Sequence, residues 1–187
     1  MKPSELLEIL RVAEKLKCNT RHCYTSNGRH ESVAEHSWRI ALMAMLITPE
    51  FPEADMDRVI RMCLIHDLGE AFTGDIPTFD KTAADTEKED ALFDCWVQTL
   101  PETAKQEFSA LLAEMNAQET VEAKIYKALD KMEAVIQHNE SDISTWLPLE
   151  YDFQLRYGAE NVKFSPWFQS LKAEIDAWTR KKIAENQ

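Results

Sequence analysis

Apolar residues recur at helical spacing along most of the chain. Near the amino terminus, Leu6, Leu10 and Ala13 share one side of a predicted helix over residues 4–17. The same spacing continues through the chain. It predicts further helices at about residues 32–47, 55–66, 84–100, 108–115, 119–139 and from 165 onward.

Local signals indicate where these helices begin and end. Ser32 followed by Glu35 has the spacing of a capping box, and Ser165-Pro166 combines a cap with proline at the first helical position. Residues 19–30 are polar, and residues 69–80 contain glycine and proline. Both segments are therefore predicted to be mainly loop.

Composition supports a helical fold. The 187 residues are 44% hydrophobic and include only four glycines, whereas a sheet-rich fold with many tight turns needs more. The length favours one domain with one core. We expect a single all-α domain over residues 1–187, a bundle of about seven or eight helices.

Charge narrows the possible partners. The chain has 33 acidic and 21 basic side chains, a formal net charge of −12, which argues against nucleic-acid polymers and anionic membranes. It has no apolar run long enough for a membrane span or a signal peptide. Its four irregularly spaced cysteines suggest reduced thiols in a cytoplasmic protein. An anionic substrate would need local positive charge, such as a metal ion with a few Arg or Lys.

Four residues on three separate predicted helices carry metal-binding chemistry. His36 lies one turn inside the capped helix, His66 and Asp67 end an apolar helix, and Asp130 interrupts another. Imidazole nitrogens and carboxylate oxygens both bind divalent ions. Taken singly, each signal is weak, because a His-Asp pair is usually a surface feature.

Asp130 also has a simpler interpretation. Lys127 and Lys131 flank it in the sequence, so it could pair with a lysine or face water. A buried carboxylate must be paired, hydrogen-bonded or metal-bound, because an unpaired buried charge is costly. The residue alone leaves these alternatives open.

The order of these residues, and the motifs around them, resemble the HD superfamily of metal-dependent phosphohydrolases, and within it the branch that contains the 5′-deoxynucleotidases. The matching segments are Glu31–Ser37, His66–Glu70, Thr73–Pro77 and Leu129–Lys131. The resemblance implies packed helices around one divalent ion, Mn, Co, Fe, Ni or Zn. Its protein ligands would be His36, His66, Asp67 and Asp130.

The resemblance also implies roles for other residues. Glu70 would orient or deprotonate the attacking water, and Asp75 would protonate the leaving oxygen or hold the water; the resemblance leaves the exchange of these two roles open. Arg21, His22 and Arg29 would bind the substrate, with arginine suited to phosphate. Bacterial members of the branch have Trp at the position of His22, which bears on sugar discrimination.

The expected activity is hydrolysis of (deoxy)ribonucleoside 5′-monophosphates, by a homodimer. The chain has no histidine between Asp67 and Asp130, where two-metal HD phosphodiesterases place additional ligands, so one metal and a monophosphate ester are favoured. One alternative is an HD enzyme for a dNTP, a cyclic nucleotide or a guanosine polyphosphate. Another is a non-catalytic, nucleotide-binding helical protein. Trp167, Phe168 and Trp178 would form either the dimer surface or the monomer core.

Overall fold

Helices provide nearly all the regular structure in the computed structural model, which describes residues 1–186. The α-helices and strands of this part of the chain are α1 (Pro3–Cys18), β1 (Thr20–Tyr24), β2 (His30–Ser32), α2 (Val33–Leu46), α3 (Met56–Ile65), α4 (Glu70–Thr73), α5 (Ala83–Val97), α6 (Glu102–Ala117), α7 (Val121–Glu140), α8 (Glu150–Arg156) and α9 (Pro166–Ala184). Apart from the one-turn α4, these residues form eight α-helices, as the all-α prediction requires.

The core lies where α2, α3 and α7 pack against one another. Each contributes fully buried apolar side chains, such as Ile40, Met62 and Leu129. The apolar faces that helical spacing predicts for these three helices therefore meet in the centre of the fold. Helix α9 covers α7 from outside, and α1 packs on α2 and α4.

The predicted caps are confirmed. The Ser32 hydroxyl accepts from the Glu35 amide at 3.3 Å, and the Glu35 carboxylate accepts from the Ser32 amide at 2.9 Å. The Ser165 hydroxyl accepts from the Phe168 amide at the start of α9. Caps of this kind satisfy backbone donors that have no partner within the helix.

The loop predicted over residues 19–30 was wrong in part, because β1 and β2 form a short antiparallel hairpin. The amide of Thr25 donates to the carbonyl of Arg29 at 2.8 Å, and Gly28 supplies the positive φ of +83° that the turn needs. The strands have five and three residues, too few for a clear alternating pattern. Helix α8 was also not predicted.

The aromatic residues of α9 divide between core and surface. Phe168 is fully buried, and Trp167 packs edge-on against Phe51, with ring centroids 5.9 Å apart. Trp178 is 41% exposed. Phe168 therefore belongs to the monomer core. Within residues 1–186, no helix combines the length and apolar character needed to cross a membrane.

Candidate metal centre

Three helices bring the predicted metal ligands together. His36 projects from α2, Asp130 from α7, and His66 and Asp67 lie at the end of α3. The amide of His66 makes the last helical hydrogen bond of α3, to the carbonyl oxygen of Met62, and the chain turns directly after it. This turn allows two consecutive side chains, which a continuous helix would separate, to reach one point.

The four side chains converge at short distances. Nε2 of His36 lies 3.4 Å from Oδ1 of Asp130 and 3.8 Å from Oδ2 of Asp67. Nε2 of His66 lies 3.0 Å from Oδ2 of Asp67 and 3.9 Å from Oδ1 of Asp130. The histidine side chains are only 1% and 3% exposed.

Both Nε2 atoms are buried and lack a hydrogen-bond partner among residues 1–186. Buried polar atoms are nearly always paired, so two unpaired nitrogens facing two carboxylates need an explanation. A cation between them supplies it. Two imidazoles and two carboxylates suit a divalent transition ion. His36, His66, Asp67 and Asp130 therefore fit one divalent metal ion.

The opposite nitrogen of each histidine is held by the protein. Nδ1 of His66 lies 2.9 Å from the carbonyl oxygen of Cys63, and Nδ1 of His36 is hydrogen-bonded to the carboxylate of Glu133. Such partners fix the tautomer and orientation of metal-binding imidazoles. Burial and Arg21 favour a lower pKa for His36, but the nearby carboxylates outweigh them and raise that pKa to about 9.

Asp130 divides its two oxygens between different partners. Oδ1 faces the histidines, whereas Oδ2 lies 3.0 Å from Nζ of Lys127 and 3.2 Å from Nζ of Lys131. Burial alone would raise the pKa of Asp130, but the two lysines hold it well below its usual range. The lysine pairing considered from the sequence is present, and it leaves one oxygen for the metal.

Glu70 and Asp75 lie on the segment that follows the metal ligands. Glu70 begins α4 and is buried, its Oε2 has no partner among the described residues, and its carbonyl accepts from the Asn19 side chain at 2.6 Å. Burial, then the charges of Asp67 and Asp75, raise the pKa of Glu70 to about 10. Asp75 is half-buried after Gly74, whose φ is +79°, and burial raises its pKa as well.

A cleft adjoins this segment. Asp75 and two of the residues predicted to bind substrate line it, together with three aromatic rings. We call it the aromatic cleft, and its residues include Arg21, His22, Asp75, Phe79, Phe153 and Tyr157. The rings pack on one another, with 6.1 Å between the centroids of Phe79 and Phe153 and 5.0 Å between those of Phe153 and Tyr157. Positive charge, a carboxyl group and flat apolar surfaces thus line one concave surface.

The two predicted arginines lie in different surroundings. Nη1 of Arg21 is 2.8 Å from Glu31 and 3.3 Å from Glu133, and its side chain is only 14% exposed. Arg29 is exposed, pairs with Glu35, and lines a separate groove beside Trp38. The structure brings Arg21 to the aromatic cleft and does not bring Arg29 there.

Glu133 is the main site residue that sequence reasoning missed. It is fully buried, contacts His36 and Arg21, and lies one turn after Asp130 on α7. That spacing places both acids on one face of the helix, which was a usable signal. Sequence reasoning also assigned no role to Glu31, which is buried and pairs with Arg21.

Comparison with known proteins agrees with this geometry. Human 5′-deoxynucleotidase HDDC2 is 34% identical over 185 residues, which cover 96% of this chain and 88% of the relative. The Xenopus laevis protein of the same name is 37% identical over 136 residues, covering 71% of this chain and 67% of the relative.

Among solved structures, a predicted metal-dependent phosphohydrolase from Magnetospirillum magnetotacticum superimposes with a TM-score of 0.80 and 29% identity. The match covers 98% of this chain and 93% of that one. The family model described as "HD domain" matches residues 13–172. The chain therefore belongs to the HD domain family.

Proposed function

We propose that this chain is a metal-dependent 5′-deoxynucleotidase, which converts deoxyribonucleoside 5′-monophosphates to nucleosides and inorganic phosphate. The observation that carries the proposal is the pair of buried, unpartnered Nε2 atoms of His36 and His66, which face Asp67 and Asp130. Relatives named 5′-deoxynucleotidase align with nearly the whole chain and support the same reaction.

The metal would be Mn, Co, Fe, Ni or Zn, held by the four residues of the centre. When bound, such an ion offsets charge on the phosphoryl group and lowers the pKa of water. The lone pairs of the histidines and the free oxygen of Asp130 are already oriented for this role by the surrounding contacts. Little rearrangement is then needed when the ion binds.

Glu70 would handle the attacking water. Its buried carboxyl group, next to Asp67 in the fold, has a raised pKa in the metal-free protein. Added positive charge at the centre lowers this pKa, because it favours the ionised form. The carboxylate can then orient the water and take its proton as the water oxygen attacks phosphorus.

Asp75 would act at the leaving group. The bond between phosphorus and the 5′ oxygen breaks, and that oxygen needs a proton to leave as an alcohol. Burial raises the pKa of Asp75, which helps this carboxyl group retain a proton until it is needed. The residue lines the aromatic cleft, on the side where the nucleoside would lie.

Arg21 and His22 would bind the nucleotide. Glu31 and Glu133 both contact Nη1 of Arg21, so they fix the guanidinium and leave Nη2 for a phosphate oxygen. His22 follows along the strand and lines the same cleft, where the sugar and base would meet aromatic surfaces. The assignment of Arg29 to substrate rests on the resemblance alone.

Purified protein should be assayed against ribo- and deoxyribonucleoside 5′-monophosphates with each of the five metals. The expected result is release of one inorganic phosphate per nucleoside, abolished by EDTA and restored by metal. Chromatography identifies both products. Release of pyrophosphate from a dNTP, with no activity on monophosphates, would overturn the proposal.

A homodimer and a cytoplasmic location complete the proposal. Trp178 and Trp38 are exposed and offer apolar surface for a second copy, whereas Phe168 is buried within the monomer. All four cysteines are free thiols in the described structure, in keeping with a reducing compartment. Light scattering at micromolar concentration measures the mass and decides whether the chain is a dimer.

A further inference from the structure

A second group of side chains with metal-ligand donor atoms lies in the wall of the aromatic cleft. It is separate from His36, His66, Asp67 and Asp130, which we call the HD centre. His22 comes from β1, His138 from the last turn of α7, and Glu150 begins α8. Nε2 of His22 and Nε2 of His138 lie 3.3 Å and 2.9 Å from the same oxygen, Oε1 of Glu150. One donor atom from each residue lies within 4.8 Å of the other two.

The donor atoms of this cluster are oriented by other contacts. Nδ1 of His138 lies 2.9 Å from the carbonyl oxygen of Ala134, which can only accept, so Nδ1 carries a proton. The neutral imidazole then offers its lone pair at Nε2. His66 of the HD centre is anchored in the same way by Cys63. Metal-binding histidines are commonly fixed by such a bond.

Glu150 is fixed as well. It is only 1% exposed, and its Oε2 accepts from the amide of Leu147 at 2.7 Å. The remaining oxygen, Oε1, is the one that both histidines face. With its proton on Nδ1, His138 can meet this oxygen through Nε2 only if a second proton or a metal cation lies between the two atoms.

The spacing suits a transition metal. Zinc binds imidazole nitrogen and carboxylate oxygen at about 2.0–2.2 Å, so tetrahedral ligands lie about 3.3 Å apart. The distance of 3.3 Å from His22 matches that value, whereas the 2.9 Å from His138 is also the length of a hydrogen bond. Two histidines and one carboxylate also form the ligand set of many catalytic zinc and iron sites, which keep other positions open.

We propose that His22, His138 and Glu150 form a second metal site, which binds a divalent transition ion such as zinc. Magnesium and calcium prefer oxygen ligands and suit the site poorly. The three residues line the same cleft as Arg21 and Asp75, so the open coordination positions face that cleft. The site joins β1, α7 and α8, and its ion links segments that are far apart in the sequence.

Aromatic neighbours make the site rigid. The ring of Phe79 packs edge-on against His22 at 5.5 Å, and that of Trp146 packs edge-on against His138 at 6.0 Å. The indole nitrogen of Trp146 also donates to the carbonyl oxygen of His138 at 3.0 Å. An apolar shell of this kind limits ligand movement and excludes competing water.

Metal content in defined variants tests the proposal. Asp67→Ala disables the HD centre, and the double variant Asp67→Ala/His138→Ala disables both sites. Each protein is dialysed against excess zinc, then against buffer, and its zinc is counted by mass spectrometry. Asp67→Ala should retain one ion per chain that the double variant lacks. His30→Ala is the matched control, because His30 is exposed and belongs to neither group.

Two further variants distinguish loss of the ion from loss of the fold. Glu150→Gln keeps the size of the side chain but removes the charge, and His22→Gln changes a half-exposed residue of the hairpin. Each, in the Asp67→Ala background, should lose the retained ion while circular dichroism stays helical. Zinc should also raise the melting temperature of Asp67→Ala and not that of the double variant.

Equal zinc content in Asp67→Ala and the double variant would overturn the proposal, and so would the absence of retained zinc in Asp67→Ala. The cluster would then be a hydrogen-bonded network with a protonated imidazole. These readouts do not depend on phosphatase activity. The second site and the proposed reaction can therefore fail independently.

Discussion

Glu133 holds the imidazole of His36 through Nδ1, on the side of the ring away from the nitrogen that faces the metal-binding carboxylates. The same carboxylate lies 3.3 Å from Nη1 of Arg21. One fully buried acid therefore supports both a proposed metal ligand and the arginine of the aromatic cleft. The metal site and the phosphate site proposed above share this support.

Replacing Glu133 should weaken metal binding without removing a ligand. Glu133→Gln keeps the shape but loses the charge that orients His36, and loss of such a partner typically costs about 10–100-fold in metal affinity. Competition with a chelator measures the affinity. Glu140→Gln is the matched control, because Glu140 is exposed on the same helix and pairs with Arg39. Equal affinities in the two variants would contradict the supporting role.

Asp67→Ala should remove the ion of the HD centre and abolish phosphatase activity. The side chain faces both histidines, and no other carboxylate is as close to His66 among the described residues. Mass spectrometry of the purified protein measures metal content. Asp57→Ala, at the exposed start of α3, should keep wild-type content. Full wild-type occupancy in Asp67→Ala would show that the ligand assignment is wrong.

Glu70→Gln should reduce turnover more than metal content. The amide retains the size of the side chain but cannot take a proton from water, and a general base typically contributes about 10²–10⁴-fold to the rate. Steady-state kinetics at saturating metal measures kcat, and exposed Glu87→Gln is the control. An unchanged kcat would exclude Glu70 as the base and favour Asp75.

The same residue predicts a pH dependence of stability in metal-free protein. The pKa of Glu70 is raised from 4.5 to about 10 by burial and by Asp67 and Asp75. The folded state therefore holds a proton that the unfolded state releases above pH 4.5, so this residue lowers stability as the pH rises from about 4.5 to 10. Urea unfolding in EDTA at pH 5 and pH 8 measures the change. Between these two pH values, Glu70→Gln should lose less stability than the wild-type protein. An equal loss in both proteins would show that Glu70 is not the cause.

Sugar selectivity tests the residues of the aromatic cleft. If His22 packs closely on the sugar, a 2′-hydroxyl is mismatched, which typically costs about 1–3 kcal/mol, or 10–200-fold in kcat/KM. Comparing dAMP with AMP and dUMP with UMP measures the preference. Equal values for each pair would remove the deoxy preference and leave the phosphatase activity intact.

The two arginines should differ in the same assay. Arg21→Ala should raise KM for all monophosphates alike, because Arg21 lies in the cleft. Arg29→Ala should have a smaller effect, because Arg29 lies in another groove. If Arg21→Ala spares every substrate, its assignment to phosphate is wrong.

Most of the helices could be predicted from the sequence, because they leave local signals. The metal ligands stay a prediction, and the structure brings the four predicted side chains together. Helical spacing and caps such as Ser32 indicate the elements, and the motifs around His66 indicate the centre. The cluster of His22, His138 and Glu150 left no such signal. His22 lies more than a hundred residues before His138 and Glu150 and meets them only because the hairpin packs on α7. His138 alone looked like an ordinary polar residue.

The two lysines beside Asp130 have a consequence for the size of substrate. Their charges offset those of Asp67 and Asp130, so these two carboxylates would not cancel the charge of a divalent ion bound there. Exposed charges act over a Debye length of about 8 Å in physiological salt. A single nucleotide would need only this ion and the nearby cations, whereas the trailing phosphates of a longer strand would lie against a chain of net charge −12. Electrostatics thus favour free mononucleotides over the terminal phosphate of a polymer.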